Sequence, residues 1–465
     1  MRNKFLRKIT VFFFVLIPFS GWAQSGGRLS GSLESNSILY KGGSAGSNNY
    51  VKLDYTIGGF SAGIQAEYYP EPLLGYYPEL KGIGLPEKYL SWTGNQFSIT
   101  AGDFYEQFGT GLILRSWEDR TLGWNNSIGG GKVSFRTRDN VFSAKIIAGV
   151  PREYLKYSSN LVAGAQGMLT LGNFFLEASA VNRYNDVSSW SYSAMGGYTF
   201  GDVSLQGEYV FKKKGNAQTL EINYSGSGLS GSLTLRRLDN MLDPFGMNYI
   251  PALNQQQSYL LASLNPYTPY AAGEAGGVAD IFYRKGKWRF HVNGSMFYSL
   301  PFALEGWNHP RMAYRDFNAD VERRWSSRLK TTVFVSIQEN SPTHGQKKAT
   351  NAQNVFVLDG LYKFNSTYSL RAQVQYLFSK ELTRDWVAAL LELGIAPRWS
   401  IHLSDMYNHG DTKEHYYEAG VSYTKSAFRL ALSYGHQRAG YICSGGVCRW
   451  QPEYTGGMMS LSYNF

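Results

Sequence analysis

Along most of this chain apolar side chains keep to one parity and polar ones to the other, and no long apolar run follows residue 19. In STYSLRAQVQYLF, Leu370, Ala372, Val374, Tyr376 and Phe378 share a face, opposite Arg371, Gln373 and Gln375. In KWRFHVNGS, Trp288, Phe290 and Val292 oppose Arg289, His291 and Asn293. In RLKTTVFVSIQ, Leu329, Val333, Val335 and Ile337 oppose Lys330, Thr332, Ser336 and Gln338, with Phe334 as one large ring on the polar side. AFRLALSY sets Phe428, Leu430, Leu432 and Tyr434 against Arg429, Ala431 and Ser433. A period of two is that of a β-strand with one apolar face. The pattern runs to the last residue: Met459, Leu461, Tyr463 and Phe465 face one way, and Ser460, Ser462 and Asn464 the other.

Such strands suit either a soluble sandwich or a membrane barrel. Composition narrows the choice. With 51 Gly, 34 Tyr, 27 Phe, 11 Trp and only 17% charged residues, the chain is no helical membrane protein. It also lacks the continuous apolar strands of a buried parallel sheet. Short breaks (IGGF, TGNQ, RDNV, LGNF, FGDV, KGKW, FNST, PRWS) alternate with longer polar loops. A barrel sorts short turns to one rim and long loops to the other; a sandwich has no reason to. Aromatics gather near strand ends (Tyr68, Tyr69, Trp92, Trp190, Trp288, Trp325, Trp399, Tyr407), where a bilayer interface holds amphipathic rings.

The amino terminus predicts export. Arg2, Lys4, Arg7 and Lys8 precede the apolar run Val11 to Phe19, and Gly21 and Ala23 supply small residues for cleavage, so residues 1–23 read as a signal peptide. The run is too short for a spanning helix, and no cysteine follows for lipid attachment. Loss of four basic residues takes the net charge from +10 to about +6.

The expected fold is all-β: a transmembrane antiparallel up-and-down barrel of residues 24–465, with about 24 strands, between about 22 and 26. An even count puts both termini on the periplasmic side and requires the strand at Arg28 to Tyr40 to pair with the one ending at Phe465, because an open edge is not tolerated in lipid. No room is left before Arg28 for a separate plug domain. Long exterior loops are expected at 70–86, 239–274 and 436–456, and loops of that length carry function.

Two resemblances add to this. The terminal strand, with Met459, Leu461, Tyr463 and Phe465, resembles the carboxyl-terminal signal by which the barrel-assembly machinery recognises and inserts bacterial outer-membrane barrels. AGDFYEQFGTGLILRSWEDRTLGWNNSIGGGKV, residues 101–133, and YICSGGVCRWQP are similar to the signature block and the cysteine-bearing last loop of an uncharacterised outer-membrane barrel family of Bacteroidota. That resemblance implies a location in the cell outer membrane, among its lipids and lipopolysaccharide, and brings no activity.

In the first of these blocks Asp103, Glu106, Arg115, Glu118, Asp119 and Arg120 lie among Phe104, Tyr105, Phe108 and Trp117. Charges this dense need partners if they face a lumen. They read either as a ligand-binding or gating cluster, or as Arg–carboxylate pairs fixing a strand-to-loop corner beside a glycine bulge. In YRDFNADVERRW, Asp316, Asn318, Asp320, Glu322 and Arg324 share a face. With bases at Arg289, Lys330, Arg371 and Arg429, they suggest opposed charges across a water-filled interior. The same residues could pair and close it. Cys443 and Cys448 read as a small disulfide loop of an exported protein. His402, Ser404, Asp405, His409 and Asp411 carry no nucleophile motif, so no enzyme is expected. No cofactor, metal or nucleic-acid partner is expected. Lys212 to Lys214 could touch lipopolysaccharide phosphates. The function read first is a porin-like channel or transporter for small polar solutes. The alternative is a structural or accessory barrel partnered, through its aromatic exterior loops, with an outer-membrane assembly or secretion machinery. A barrel enzyme at the rim stands behind both.

Overall fold

The computed structural model describes residues 26–243, 249–255, 257–347, 350–381 and 384–465; the expected signal peptide lies outside the described residues. The first eight barrel strands are β1 (Arg28–Tyr40), β2 (Ala45–Ile57), β3 (Phe60–Glu71), β4 (Gly82–Thr93), β5 (Phe97–Phe104), β6 (Ile128–Arg136), β7 (Phe142–Glu153) and β8 (Leu161–Leu171). Next come β9 (Phe174–Asn185), β10 (Val187–Phe200), β11 (Val203–Lys212), β12 (Gly215–Ser225), β13 (Leu229–Asp239), β14 (Gly273–Lys285), β15 (Trp288–Ser299) and β16 (Arg311–Arg324). The last are β17 (Leu329–Asn340), β18 (Asn351–Lys363), β19 (Tyr368–Phe378), β20 (Trp386–Ile395), β21 (Trp399–Tyr407), β22 (His415–Lys425), β23 (Phe428–Gln437) and β24 (Tyr454–Asn464). Each pairs antiparallel with its neighbours in sequence, so the expected strand number holds.

Closure uses the terminal phenylalanine. β1 pairs with β24 in a register that sets Ser37 opposite Met459. Gly31 and Phe465 exchange both backbone hydrogen bonds (2.9 and 3.0 Å). A Cβ on Gly31 would lie 2.5 Å from the Phe465 ring, so the absence of a side chain there lets the last residue seat.

All eleven connections on the rim that holds the termini are five residues or shorter. Gly58, Gly172, Gly201 and Gly286 occupy four of the tightest with φ of +56°, +59°, +54° and +58°, the left-handed region where glycine costs little. The opposite rim carries the long connections, chiefly 72–81, 105–127, 240–272 and 438–453, but also three tight ones at 41–44, Asp186 and 213–214. Length therefore sorts the rims less cleanly than the sequence rhythm suggests. Among the described residues no helix is long and apolar enough to cross a membrane.

The parities hold in the strands sampled above. Val374, Tyr376 and Phe378 of β19, Val292 of β15, and Leu432 and Tyr434 of β23 are exposed on the outer face, while Gln373, Gln375, His291 and Asn293 are buried inside. An apolar outer face and fully paired strands are what a bilayer requires. Of the expected interfacial rings, Tyr68, Trp92, Trp190, Trp288, Trp325 and Trp399 are exposed. Tyr69 is not: it turns inward, is buried, and meets Tyr50 edge-on with ring centroids 5.8 Å apart.

The lumen has two unlike halves. Towards the long-loop rim it is packed with side chains. Towards the turn rim, lumen-facing groups such as Lys132, Lys145, Glu322, Lys330, Arg371, Glu392 and Glu418 are half-buried and border a polar chamber. Among the described residues there is no separate plug domain, and the filling comes from inter-strand connections.

Candidate functional site

The first filling segment starts where β5 ends. Gly102 has a φ of +110°, and a Cβ there would stand 2.1 Å from the Lys88 carbonyl oxygen, so only glycine allows strand and neighbour to approach this closely before the chain turns inward. In segment 105–127, Gln107–Phe108 pairs with Leu114–Arg115 as a short ribbon. Its tip buries Phe108, Leu112, Ile113 and Leu114 against a ribbon of lumen-facing apolar residues on successive strands, including Ile147, Val162, Val181, Val210 and Leu238. Gly164 makes room for the Phe108 ring: a Cβ would meet it at 2.7 Å. Each fully buried side chain of this size stabilises the inward position by roughly 1.5–3 kcal/mol. Polar bonds fix the register. Glu208 accepts from the Thr110 backbone N–H at 2.9 Å, and the Arg183 guanidinium donates to the Ile113 carbonyl.

The charged residues of this segment are matched one by one. Glu106 pairs with Lys145 (2.8 Å) and Lys132 (3.4 Å) on the wall. Arg120 pairs with Glu34 (2.7 Å) and Glu118 (3.4 Å) and lies over the Tyr50 ring at 4.5 Å. Burial alone would lower its pKa, but the Glu118 and Glu34 carboxylates hold the guanidinium above its usual range. Glu118 also accepts from Gln65 Nε2 at 2.7 Å. Asp119 accepts from the backbone N–H groups of Thr121 and Leu122 (2.9 and 3.1 Å), a turn-forming role. Arg115 donates to the carbonyls of Gly445 (2.5 Å) and Tyr249 (3.3 Å), and burial lowers its pKa. These pairs tie the strand-to-loop corner, and Gly102 takes a positive φ where the segment leaves β5.

Asp103 stands apart from that group. Phe104 joins the lumen core, so its neighbour Asp103 takes the opposite side of the strand. It is sealed there by Lys88 Nζ (3.1 Å) and the Tyr157 hydroxyl (2.6 Å). It therefore belongs to no lumenal cluster. β5 keeps its alternation through Gly102, so Asp103 shares the outward parity of Phe97, Ile99 and Ala101.

The second set lies across the lumen, on β14 to β19. Asp316 accepts from the Ser295 backbone N–H (2.9 Å), Tyr314 (3.1 Å) and Asn318 (2.9 Å). Asp320 pairs with Arg289 (3.2 Å) and with His291 Nδ1 (2.6 Å), whose Nε2 reaches Asp280 at 3.1 Å. Glu322 pairs with Lys330 (3.0 Å) and Arg371 with Asp359 (2.7 Å). Arg324 and Arg429 are exposed near the turn rim, Arg324 directly across from Lys330. The twelve candidate residues thus divide among several local sets and form no single site.

Of the second filling segment, 240–272, residues 257–272 pack on this side, while Met241 and Ile250 join the first cluster. Leu261 and Ala262 join Phe334, Val355, Val357, Leu377 and Trp386 in a buried cluster. The lone ring on the polar side of β17 is the floor for Tyr259, 4.9 Å away. Tyr267 stacks on Tyr314 (4.5 Å) and Phe297 (5.1 Å). Amides of the wall hold the backbone: Gln375 Oε1 accepts from Leu261 N–H at 3.1 Å, and Gln338 Nε2 donates to the Asn265 carbonyl at 2.9 Å. In 341–350, His344 stacks on Tyr270 (4.7 Å), and burial lowers its pKa.

The hairpin of Gly440–Ser444 and Val447–Gln451, with its Cys443–Cys448 disulfide, lies over both segments. Arg449 donates to the Thr121 carbonyl at 2.8 Å, and a Cβ on Gly446 would meet the Ile250 carbonyl.

Sequence reasoning missed the buried pairs Arg152–Glu67 (2.6 Å) and Arg236–Glu274 (3.4 Å), because their partners are distant in the chain. It also missed segment 105–127 as a long connection. The available signal was the run of apolar residues on lumen parity. Of the histidine set, His402 partners Glu418 (3.2 Å) and Asp405 partners His415 (2.7 Å), so a Ser–His–Asp relay is not what these contacts build. Lys212 Nζ donates to the Leu242 carbonyl.

The chain is similar to the P pilus usher PapC translocation pore, at 10% identity and a TM-score of 0.41, covering 94% of this chain and 99% of that one. It is similar to a BenF-like porin from Pseudomonas fluorescens Pf-5, at 11% identity and a TM-score of 0.38, covering 95% and 98%. It is similar to the siderophore receptor PirA from Pseudomonas aeruginosa, at 10% identity and a TM-score of 0.43, covering 94% and 80%. Among curated proteins no match is found. The family model for DUF6029, a family of unknown function, matches residues 1–465, and the chain belongs to that family.

Proposed function

We propose that this is a closed outer-membrane barrel serving as an accessory component of an envelope assembly or secretion machinery in Bacteroidota. In this reading residues 1–23 are the export signal, the termini and short turns lie in the periplasm, and Met459, Leu461, Tyr463 and Phe465 are read by the barrel-assembly machinery. Lipid and lipopolysaccharide surround the wall, a protein partner docks on the exterior loops, and no catalysis is involved. The observation that carries it is the apolar ribbon on the lumen wall beneath Phe108, Leu112, Ile113 and Leu114. An open pore would expose that ribbon to water at roughly 25 cal/mol per Å². Single-channel recording tests the proposal: the full chain should be silent, and removal of both 105–127 and 240–272 should give steady conductance. Steady conductance from the intact chain would falsify it.

A second reading, a gated channel or transporter for small polar solutes, draws on the opposed charges bordering the turn-rim chamber, such as Glu322 with Lys330 and Asp359 with Arg371. Conductance that appears only when a solute is added would favour it.

A further inference from the structure

Between the two filling segments and the wall lies a recess. Thr110 and Leu112 bound it on one side, Pro251 and Leu253 on the other, and β10 to β13 form its floor. Gln206, Glu221 and Thr234 on that floor are half-buried, so water from the turn-rim chamber reaches it.

Its charge balance differs from that of the ion-paired sets described above. Most lumenal carboxylates described above have a Lys, Arg or His partner. Here the partners are neutral. Glu208 accepts from Thr110 and from Ser193 Oγ (2.5 Å), and Glu221 from Gln206 Nε2 and Asn223 Nδ2 (2.8 Å each). Glu177, which pairs across from Met195 of the recess floor, accepts from Gln166 Nε2 at 2.7 Å. The cation lining the recess is Arg236, already drawn to Glu274. Arg236 is 4% exposed, and its Nε is buried with no hydrogen-bond partner. An unmatched donor beside surplus carboxylates calls for a ligand that brings an acceptor and a positive charge together.

We propose that this recess binds a small hydroxylated ammonium compound with the chemistry of an amino sugar. The ammonium sits at Glu221 and Glu208, a hydroxyl oxygen accepts from Arg236 Nε, Thr219 and Thr234 bond further hydroxyls, and the C–H face lies on Met195 and Leu253. The proposal rests on the chamber being open at the turn rim, and needs no passage across the membrane.

Calorimetric titration of the full chain in detergent tests it with three probes of one ring size: D-glucosamine at mildly acidic pH, D-glucose and D-glucuronate. Glucosamine should bind at least about tenfold more tightly than glucose, and glucuronate most weakly. Glu221→Gln should bring glucosamine down to the level of glucose, while Thr234→Val should weaken both by similar factors. Equal affinity for the amine and the neutral sugar, preference for glucuronate, or no binding of any probe by the folded barrel overturns the assignment. Conductance is read separately. A silent barrel that binds none of the three loses only this proposal.

Discussion

The two segments that fill the lumen do the same job with different chemistry. Segment 105–127 drives an aliphatic tip into an apolar ribbon and pins its charged flank through Glu106, Glu118 and Arg120. Segment 240–272 relies on stacked tyrosines and on Gln and Asn side chains that bond its backbone. The first is therefore anchored mainly by burial, which has no strong directional requirement, and its ion pairs set the register. The second depends on hydrogen bonds whose loss leaves buried groups unmatched.

The sharpest way to break this contrast is Phe108→Ala. The ring is fully buried, and its loss should cost about 3–5 kcal/mol, read as a lower midpoint in urea unfolding and faster amide exchange confined to 105–127. Exchange that quickens equally in 257–272 would mean the two segments act as one body. A smaller effect is expected from Gln375→Leu, which leaves the Leu261 N–H without its acceptor at a buried position. About 1–3 kcal/mol should be lost, with exchange quickening at 259–265 and not at 108–114.

Smallest is the response to acid. Burial lowers the His344 pKa, so the unfolded chain binds its proton more readily than the folded one. The stability contributed by the neutral ring is complete above the ordinary imidazole value of about 6.5 and declines as the pH falls below it. The protection of amides near Tyr270, corrected for the intrinsic pH dependence of exchange, should fall between about pH 7 and pH 5 in the wild type and stay level in His344→Gln. Segment 105–127 should not respond. A response of equal size there would place the acid-sensitive group elsewhere.

The wall was legible from residues alone because a membrane strand presents its two faces to opposite solvents. The parities of β15, β17, β19 and β23, the short turns, and closure through Phe465 all follow from that rule. The same rule sets the faces of Tyr69 and Asp103. Tyr69 follows the outward Tyr68 and so shares the inward parity of Gln65 and Glu67, while Asp103 lies on the outward parity of Ile99 and Ala101, a charge on the apolar side. Within the candidate site the residue types were visible and the partners were not. Arg120 meets Glu34 across 86 positions and Arg115 meets Gly445 across 330, separations on which a local pattern carries no information.

A clue to the filling was nonetheless present in the chain. Ile147, Val162, Val181, Val210, Leu238, Phe334, Val355, Val357 and Leu377 stand on the parity reserved for polar groups. Apolar residues on the water side of a barrel strand must be covered by something, and these run from mid-strand (Ile147, Phe334, Val357) towards the long-loop rim. What covers them could not be read locally, because Phe108 and Leu261 reach them by folding back from connections whose own sequences show no strand period.

By itself the amino-acid sequence determined an all-β wall, its strand number and its seam, because alternation and turn chemistry act over a few residues. Tertiary structure alone decided that the lumen is packed in one half and polar in the other. That outcome depends on which distant side chains meet once the barrel has closed, and burial free energy is settled only by those meetings.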